Sequence, residues 1–470
     1  MRPSPPDDAR DPHGNEPGPQ SDPDPDDPEP ASGHPRAQTG PARRGIGLGL
    51  VLACLCATLA IGAAAKEPCA DGVWSDGRQY TRLCYSDIVA LLGTEQLVTG
   101  SRLPYLDPCV VRETACDEYP VGSMYAMRVA AWLAPSTGPA LEGAASSRSY
   151  AGFFYWNAAI LALAAVAIAV ALYLLVGGRR ALFFALSPTL LIYGFVNWDL
   201  LAVAFATLGT LAYIERRDGW SGTMLGLGAA MKAYPALVAI PFVVGRFRDR
   251  RPVGGTKLAW ATAGTWLAVN LPFMLLATSG WWEFFRFNSR RPPDWDSLWY
   301  IGCERIPGAA GLCERVSAVN ALSLLLFVVV SVLVWRAKAR RQPDFPRWTF
   351  GFALLVVFLL TNKVYSPQYG LWLLPWFALV LPDLRAFAAF SVADVAVFVT
   401  RFAFFGQTDP GIDGWVDAFT IGWFQLAVLL RAGVLVWCVA RWVRRPTERL
   451  PAEQPDPAVL GTAAPLSAPA

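Results

Sequence analysis

Residues 199–251 read DLLAVAFATLGTLAYIERRDGWSGTMLGLGAAMKAYPALVAIPFVVGRFRDRR, and their pattern decides the fold. An apolar run, 199–214, ends in Arg216-Arg217, and a second apolar stretch, 220–245, ends in Arg246, Arg248, Arg250 and Arg251. Lys and Arg mark the cytoplasmic ends of membrane spans. With basic clusters on both sides, 220–245 enters and leaves on one face. It is broken at Lys232-Ala233-Tyr234-Pro235, and each half holds only about a dozen residues, short of the roughly 20 that cross a bilayer. Two short helices meeting at a Pro-containing apex leave Lys232 buried toward the outer leaflet. Broken helices are tolerated only where protein or a water-filled cavity satisfies the freed backbone groups. The break points to a cavity.

The same reading extends outward. Of the 470 residues, 54% are hydrophobic and only 16% charged, too few charges to clothe a soluble domain of this length. Arg43-Arg44 precede the run 46–65, and Arg179-Arg180 follow 152–176. Arg336, Lys338, Arg340 and Arg341 follow 315–335, and Arg441, Arg444 and Arg445 follow 417–440. Placing every cluster inside gives one consistent topology with both termini cytoplasmic. The expected fold is an all-α polytopic membrane protein, a bundle of about 10–12 transmembrane helices with an external first loop.

Residues 1–42 carry nine acidic residues against three Arg and are rich in Pro and Gly, so they bury too little apolar surface to fold. They read as a disordered cytoplasmic tail, and 446–470, rich in Pro and Ala, as another. The membrane domain is then 43–445, with external loops at 66–151 and 279–314. The first apolar run ends in Ala63-Ala64-Ala65, which resembles a signal-peptidase site, but its long leader favours an uncleaved anchor. Residues 122–134 are too short to cross and suit an amphipathic helix lying on the outer surface.

The nine cysteines divide by location. Cys54, Cys56 and Cys438 fall within apolar runs, whereas Cys69, Cys84, Cys109, Cys116, Cys303 and Cys313 all fall in the external loops. An even number in an oxidising compartment suggests disulfides. Cys109–Cys116 and Cys303–Cys313 are the local pairs, leaving Cys69–Cys84; four cysteines in the first loop allow three connectivities.

Polar residues that interrupt the apolar segments gather near the outer ends: Asp87, Asp199, Lys232, Arg290, Arg291 and Lys363. A charge at membrane depth costs roughly 2.5–3.5 kcal/mol even on the lenient scale, so several on one face mark a site. The only histidines, His13 and His34, lie in the tail, which leaves no His nucleophile, base or metal ligand in the membrane domain. No metal site, cofactor motif or nucleic-acid signature is expected. A base must be a carboxylate, and Asp87 has two fitting roles: accepting a proton from a sugar hydroxyl, or, with Ser86, capping the helix that follows. Asn197 and Asp199 suit a polar ligand or a helix cap. Lys232 suits a phosphate or a snorkelling side chain. Arg290 and Arg291 suit an anionic head group, and Asp294 and Asp296 a sugar or a cation, or an ordinary solvated loop. The turn Asn362-Lys363-Val364-Tyr365-Ser366-Pro367-Gln368-Tyr369 adds another cation and further amides.

In order along the chain, Tyr85-Ser86-Asp87, Tyr119-Pro120, Asn197-Trp198-Asp199, Lys232-Ala233-Tyr234-Pro235, Asn362-Lys363 and Ser366-Pro367-Gln368-Tyr369 resemble the GT-C membrane glycosyltransferases. The closest likeness is to the bacterial polyprenyl-phosphate-mannose-dependent family, glycosyltransferase family 87, over about residues 46 to 440. The resemblance implies inverting transfer of a sugar, mannose by family default, from a polyprenyl-phosphate donor. The acceptor would be an envelope glycan or glycolipid on the outer face of the plasma membrane. It implies Asp87 as base, with Lys232, Arg290 and Lys363 on the donor phosphate. Tyr119, Asn197, Asp199, Tyr234, Asp296, Gln368 and Tyr369 would line the substrates. Some family members carry His beside the late Ser-Pro turn; Gln368-Tyr369 stand here instead. The alternative is a polytopic transporter or flippase for a lipid-linked sugar or small anion, which discontinuous helices would suit.

Overall fold

The computed structural model describes residues 46–109, 116–137, 147–412 and 414–450. The expected tail 1–42 lies outside these residues, as does 446–470 except for 446–450. That short piece lies against the membrane domain, where Gln342 Nε2 donates to Thr447 O at 2.9 Å and Thr447 N donates to Gln342 Oε1 at 2.8 Å.

The protein is all-α, apart from a two-residue antiparallel ladder pairing Ser136–Thr137 with Ser147–Arg148. The anchor α1 (Leu48–Lys66) leads into the first block between spans, which holds α2 (Asp87–Thr94) and α3 (Val121–Leu133). The long α4 (Tyr150–Val176) follows, then the short α5 (Gly178–Ala185) and α6 (Pro188–Tyr193). Next come α7 (Asp199–Ile214), α8 (Asp218–Met231), α9 (Tyr234–Arg248) and α10 (Pro252–Leu276). The second block between spans contains α11 (Thr278–Arg290) and α12 (Leu298–Arg305). The chain closes with α13 (Val316–Arg341), α14 (Phe350–Thr361), α15 (Leu374–Leu379), α16 (Leu384–Thr408) and α17 (Ile421–Arg444).

Among the described residues, six helices, beginning at Leu48, Tyr150, Pro252, Val316, Leu384 and Ile421, are long and apolar enough to cross a membrane. This is a multi-pass membrane protein. The other apolar segments expected to cross are shorter and broken. Pro188 starts α6, and Pro367 starts a 3₁₀ turn of seven residues that runs into α15. α7 has 16 residues, a rise of about 24 Å at 1.5 Å per residue, less than the ~30 Å hydrocarbon core. The break in 220–245 falls at Lys232 and Ala233, between α8 and α9, where Lys232 takes an extended conformation.

Lipid tails are as apolar as Leu, so helices in a membrane associate through close contact of small residues. α8 carries Gly222 and Gly226 one turn apart against α10. A Cβ on Gly226 would lie 2.6 Å from the Thr262 carbonyl oxygen, and one on Gly222 would strike that of Leu258. Polar staples fix the basic ends. Arg246 of α9 pairs with Asp218 at 2.5 Å, donates to Tyr213 O at 2.5 Å and lies on the Tyr213 ring, joining α7, α8 and α9. Lys338 donates to the Trp442 and Arg445 carbonyls at 3.1 and 2.6 Å, tying α13 to the end of α17. On the opposite face, α3 buries Met124, Met127, Ala130 and Ala131, and Ser123 Oγ donates to Met231 O at 2.8 Å beside the break. α11 buries no residue fully and presents Trp281, Trp282, Phe284 and Phe285, as an interfacial helix does.

Candidate active site

The segment from α1 to α2 sets Asp87 in place. A Cys69–Cys84 disulfide closes it into a loop. Ser86 precedes the helix without capping it; its Oγ donates to Phe195 O at 2.7 Å, and Ile88 N donates to Val196 O at 3.1 Å. With the loop pinned to the chain between α6 and α7, Asp87 occupies the first turn of α2, where the helix dipole favours an anion. Its carboxylate lines a cavity of about 780 Å³. Gln368 Nε2 approaches Asp87 Oδ2 at 3.5 Å. Burial pushes the Asp87 carboxyl above the usual carboxylate range, against the opposing pull of a Tyr85 hydrogen bond and the charges of Arg401 and Lys232.

Three basic residues named from the sequence meet this cavity. Lys232 pairs with Asp199 Oδ1 at 3.0 Å, and its ammonium sits 4.9 Å from both the Tyr119 and Tyr369 ring centroids. That clamp stands on an aromatic stack, with Trp372 between Tyr234 at 4.3 Å and Tyr369 at 4.1 Å. Lys363 Nζ donates to Arg291 O at 2.6 Å and more weakly to Ser289 O at 3.4 Å. Burial and the neighbouring Arg291 push the Lys363 ammonium down to about 8. Arg291 itself pairs with Asp294 at 3.2 Å. Tyr119, Tyr234, Gln368 and Tyr369 also line the cavity.

Other residues named from the sequence stand elsewhere. Arg290 is exposed and does not line the cavity; the last turn of α11 carries Arg291 to it instead. Asn197 is buried behind the wall, its Oδ1 accepting from Asp199 N at 3.0 Å, and Asp199 is buried there too, paired with Lys232. Asp296 is completely buried and paired with Arg401, so it supports the wall rather than forming it. Two of the charged lining residues carry no role in the sequence analysis: Glu118, next to Tyr119, and Arg401 of α16. Arg401 had a legible signal, because an Arg inside an apolar span seldom lacks a function. Nor do all intramembrane charges lie near outer ends. Arg431 of α17 pairs with Asp394 of α16 at 3.4 Å, lies 3.8 Å from the Tyr365 ring centroid and comes within 4.0 Å of Asp296. Such buried charges need one another to offset desolvation.

The wall bearing Glu118 and Tyr119 is held by a buried polar cluster. Arg102 pairs with Asp117 at 2.6 Å and donates to Glu95 O at 3.1 Å, while Glu95 Oε2 accepts from Asp117 N at 2.5 Å. Burial pushes the Glu95 carboxyl up to about 8. Cys109 and Cys116 are joined beside this cluster, and Cys303 to Cys313 in the second block.

Residues 119–362 match the sequence model of glycosyltransferase family 87, a GT-C-like, polyprenyl-phosphate-mannose-dependent family. The chain belongs to glycosyltransferase family 87. No curated protein matches it. It is a membrane-embedded glycosyltransferase, using a sugar donor and an acceptor. The matched region opens at Tyr119 and closes at Asn362, so Asp87, Lys363 and Arg401 come to the cavity from outside it.

Beside the cavity of this family 87 transferase runs an apolar groove of about 710 Å³. Ala236, Ile240 and Val243 of α9 form one side, Trp266 and Leu267 of α10 another, and Trp281 and Phe285 of α11 a third. Pro120, Ala233 and Phe284 line both spaces, so groove and cavity meet at the α8–α9 break.

Proposed function

We propose that this transferase moves mannose, with inversion, from polyprenyl-phosphate-mannose to a glycan or glycolipid of the envelope at the outer face of the plasma membrane. The observation that carries this reading is the junction at Pro120, Ala233 and Phe284. A cavity lined by two carboxylates, Asp87 and Glu118, among the cations Lys232, Arg291, Lys363 and Arg401 opens there onto an apolar groove. A lipid-phosphate sugar has that same division, with a hydrocarbon tail, an anionic linkage and a polar head. Asp87 takes the proton of an acceptor hydroxyl as its oxygen attacks the anomeric carbon. The bond from that carbon to the phosphate oxygen breaks, and polyprenyl phosphate leaves as an anion. Lys363, Arg291 and Lys232 stabilise the departing charge. Tyr119, Tyr234, Gln368 and Tyr369 hold the sugars, while Asn197 and Asp199 act through Lys232, and Asp296 through Arg401.

The transferase unit is 43–445, with its basic helix ends cytoplasmic and its disulfide-bearing blocks outside, an arrangement suited to an oxidising compartment. The broken α8–α9 pair would also suit a flippase, but membership of a glycosyltransferase family favours transfer. A polyprenyl-phosphate-mannose analogue with a diazirine in its tail tests the donor reading. Irradiation of the purified protein is expected to label peptides of α9, α10 or α11, in competition with unmodified donor. Label confined to the outward faces of α13 and α17 would contradict it.

A further inference from the structure

The charged side chains that line the cavity are partnered, with one exception. Lys232 pairs with Asp199 at 3.0 Å, Arg291 with Asp294 at 3.2 Å and Arg401 with Asp296. Lys363 donates to backbone carbonyls, and Gln368 Nε2 approaches Asp87. The carboxylate of Glu118, half-buried in the same wall, meets neither a cation within salt-bridge distance nor a hydrogen-bond donor among the described residues. The backbone that carries it is gripped from behind. Glu95 accepts from two successive amides, Asp117 N at 2.5 Å and Glu118 N at 3.3 Å. Asp117 stands in the left-handed region at φ 64°, a conformation that L residues seldom adopt, and Arg102 and the Cys109–Cys116 disulfide hold it there. One residue beyond Glu118, the Tyr105 hydroxyl donates to Tyr119 O.

We propose that Glu118 binds the transferred sugar, its carboxylate accepting hydrogen bonds from hydroxyls of the sugar on the lipid phosphate. Ionised, a carboxylate is an acceptor only, and its two oxygens can take two neighbouring hydroxyls. A half-buried carboxylate without a donor is costly until a ligand supplies one. Its neighbours in the chain give the place. Tyr119 holds its ring centroid 4.9 Å from the Lys232 ammonium, and Pro120 lines both cavity and groove. Glu118 therefore stands one residue from the Lys232 clamp and two from the mouth of the groove, beside the phosphate and the start of the tail. A carboxylate there repels the phosphate itself. The hydroxyls of the sugar joined to that phosphate are what it can bind, and a backbone already fixed loses little freedom on binding them. This assignment rests on the lipid-phosphate donor of the proposed function.

Equilibrium binding to the purified protein tests it with two probes, polyprenyl-phosphate-mannose and polyprenyl phosphate, which lacks the sugar. Wild type is compared with Glu118→Ala and Glu118→Gln. Glu118→Ala is expected to bind the sugar-bearing lipid about tenfold more weakly, the worth of a hydrogen bond to a charged group, and to bind polyprenyl phosphate no less tightly than wild type does. Glu118→Gln, which keeps one acceptor oxygen, is expected to fall between. Equal losses for the two probes would overturn the proposal, leaving Glu118 a support of the wall, and so would an unchanged affinity for the sugar-bearing lipid. Should Glu118→Ala fail to fold, Glu118→Gln decides by the same comparison. A wild type that binds neither probe would remove the donor reading and this assignment with it. A wild type that binds both, with Glu118→Ala altering neither, would remove this assignment alone.

Discussion

At the scale of single residues, the proposed chemistry turns on a carboxylate, Asp87, in the cavity wall. Burial raises the Asp87 pKa, and a base works only when ionised. Transfer is therefore expected to fall as pH drops through a value above the ordinary aspartate range near ~3.9. A kcat/KM profile that stays flat down to that range would contradict this. The phosphate side gives a second comparison. Arg291→Ala is expected to weaken transfer by roughly tenfold to a hundredfold, the worth of one charge-assisted hydrogen bond, whereas Arg290→Ala stays within about twofold of wild type. Equal losses in the two variants would mean that the exposed Arg290 reaches the substrate. The polar residues that line the cavity at the α8–α9 break and the late turn were legible because they interrupt apolar segments. The choice of Arg291 over Arg290 was not, since it depends on where the last turn of α11 ends. Arg401 was legible in principle, as a charge interrupting an apolar span, whereas Asp296 looked like a loop residue until its buried partner was in view.

Among elements, the decisive contact is between α8 and α10, where two glycines let backbones approach. Gly226→Leu would force a side chain against the Thr262 carbonyl, an overpacking that costs about 1–3 kcal/mol. A lower thermal midpoint by tryptophan fluorescence in detergent is expected; an unchanged midpoint would mean that α8 does not set the spacing. The break at Lys232 was legible from basic clusters on both sides of a segment too short to cross twice. The number of full-length crossings was less so. Hydropathy registers apolar runs, but it does not say that Pro188 and Pro367 begin new short helices, or that a 16-residue α7 stops short of full thickness. The helix at 122–134 was legible as amphipathic, yet its buried face meets α4 and the end of α8, a partner that periodicity cannot name.

For the whole molecule, the proposed topology puts both external blocks on one side and the basic helix ends on the other. In intact cells an impermeant maleimide is expected to reach Cys at position 76 in Asp76→Cys, and to reach Glu448→Cys only after permeabilisation. The reverse pattern would invert the topology and place the cavity in the cytoplasm. All-α membrane architecture was plain from composition and charge spacing, because few other folds bury so much apolar surface with so little charge. The groove beside the cavity was not, since α9, α10 and α11 each contribute ordinary apolar residues. The measurement that reaches furthest is transfer of radiolabelled mannose from polyprenyl-phosphate-mannose to an envelope lipid extract, comparing wild type with Asp87→Asn. Wild type is expected to transfer label, and Asp87→Asn to bind donor as tightly while transferring about 10²–10⁴-fold more slowly, as loss of a general base implies. Undiminished transfer by Asp87→Asn would contradict Asp87 as the base, and a wild type that neither binds nor uses the donor would contradict the lipid-phosphate reading itself.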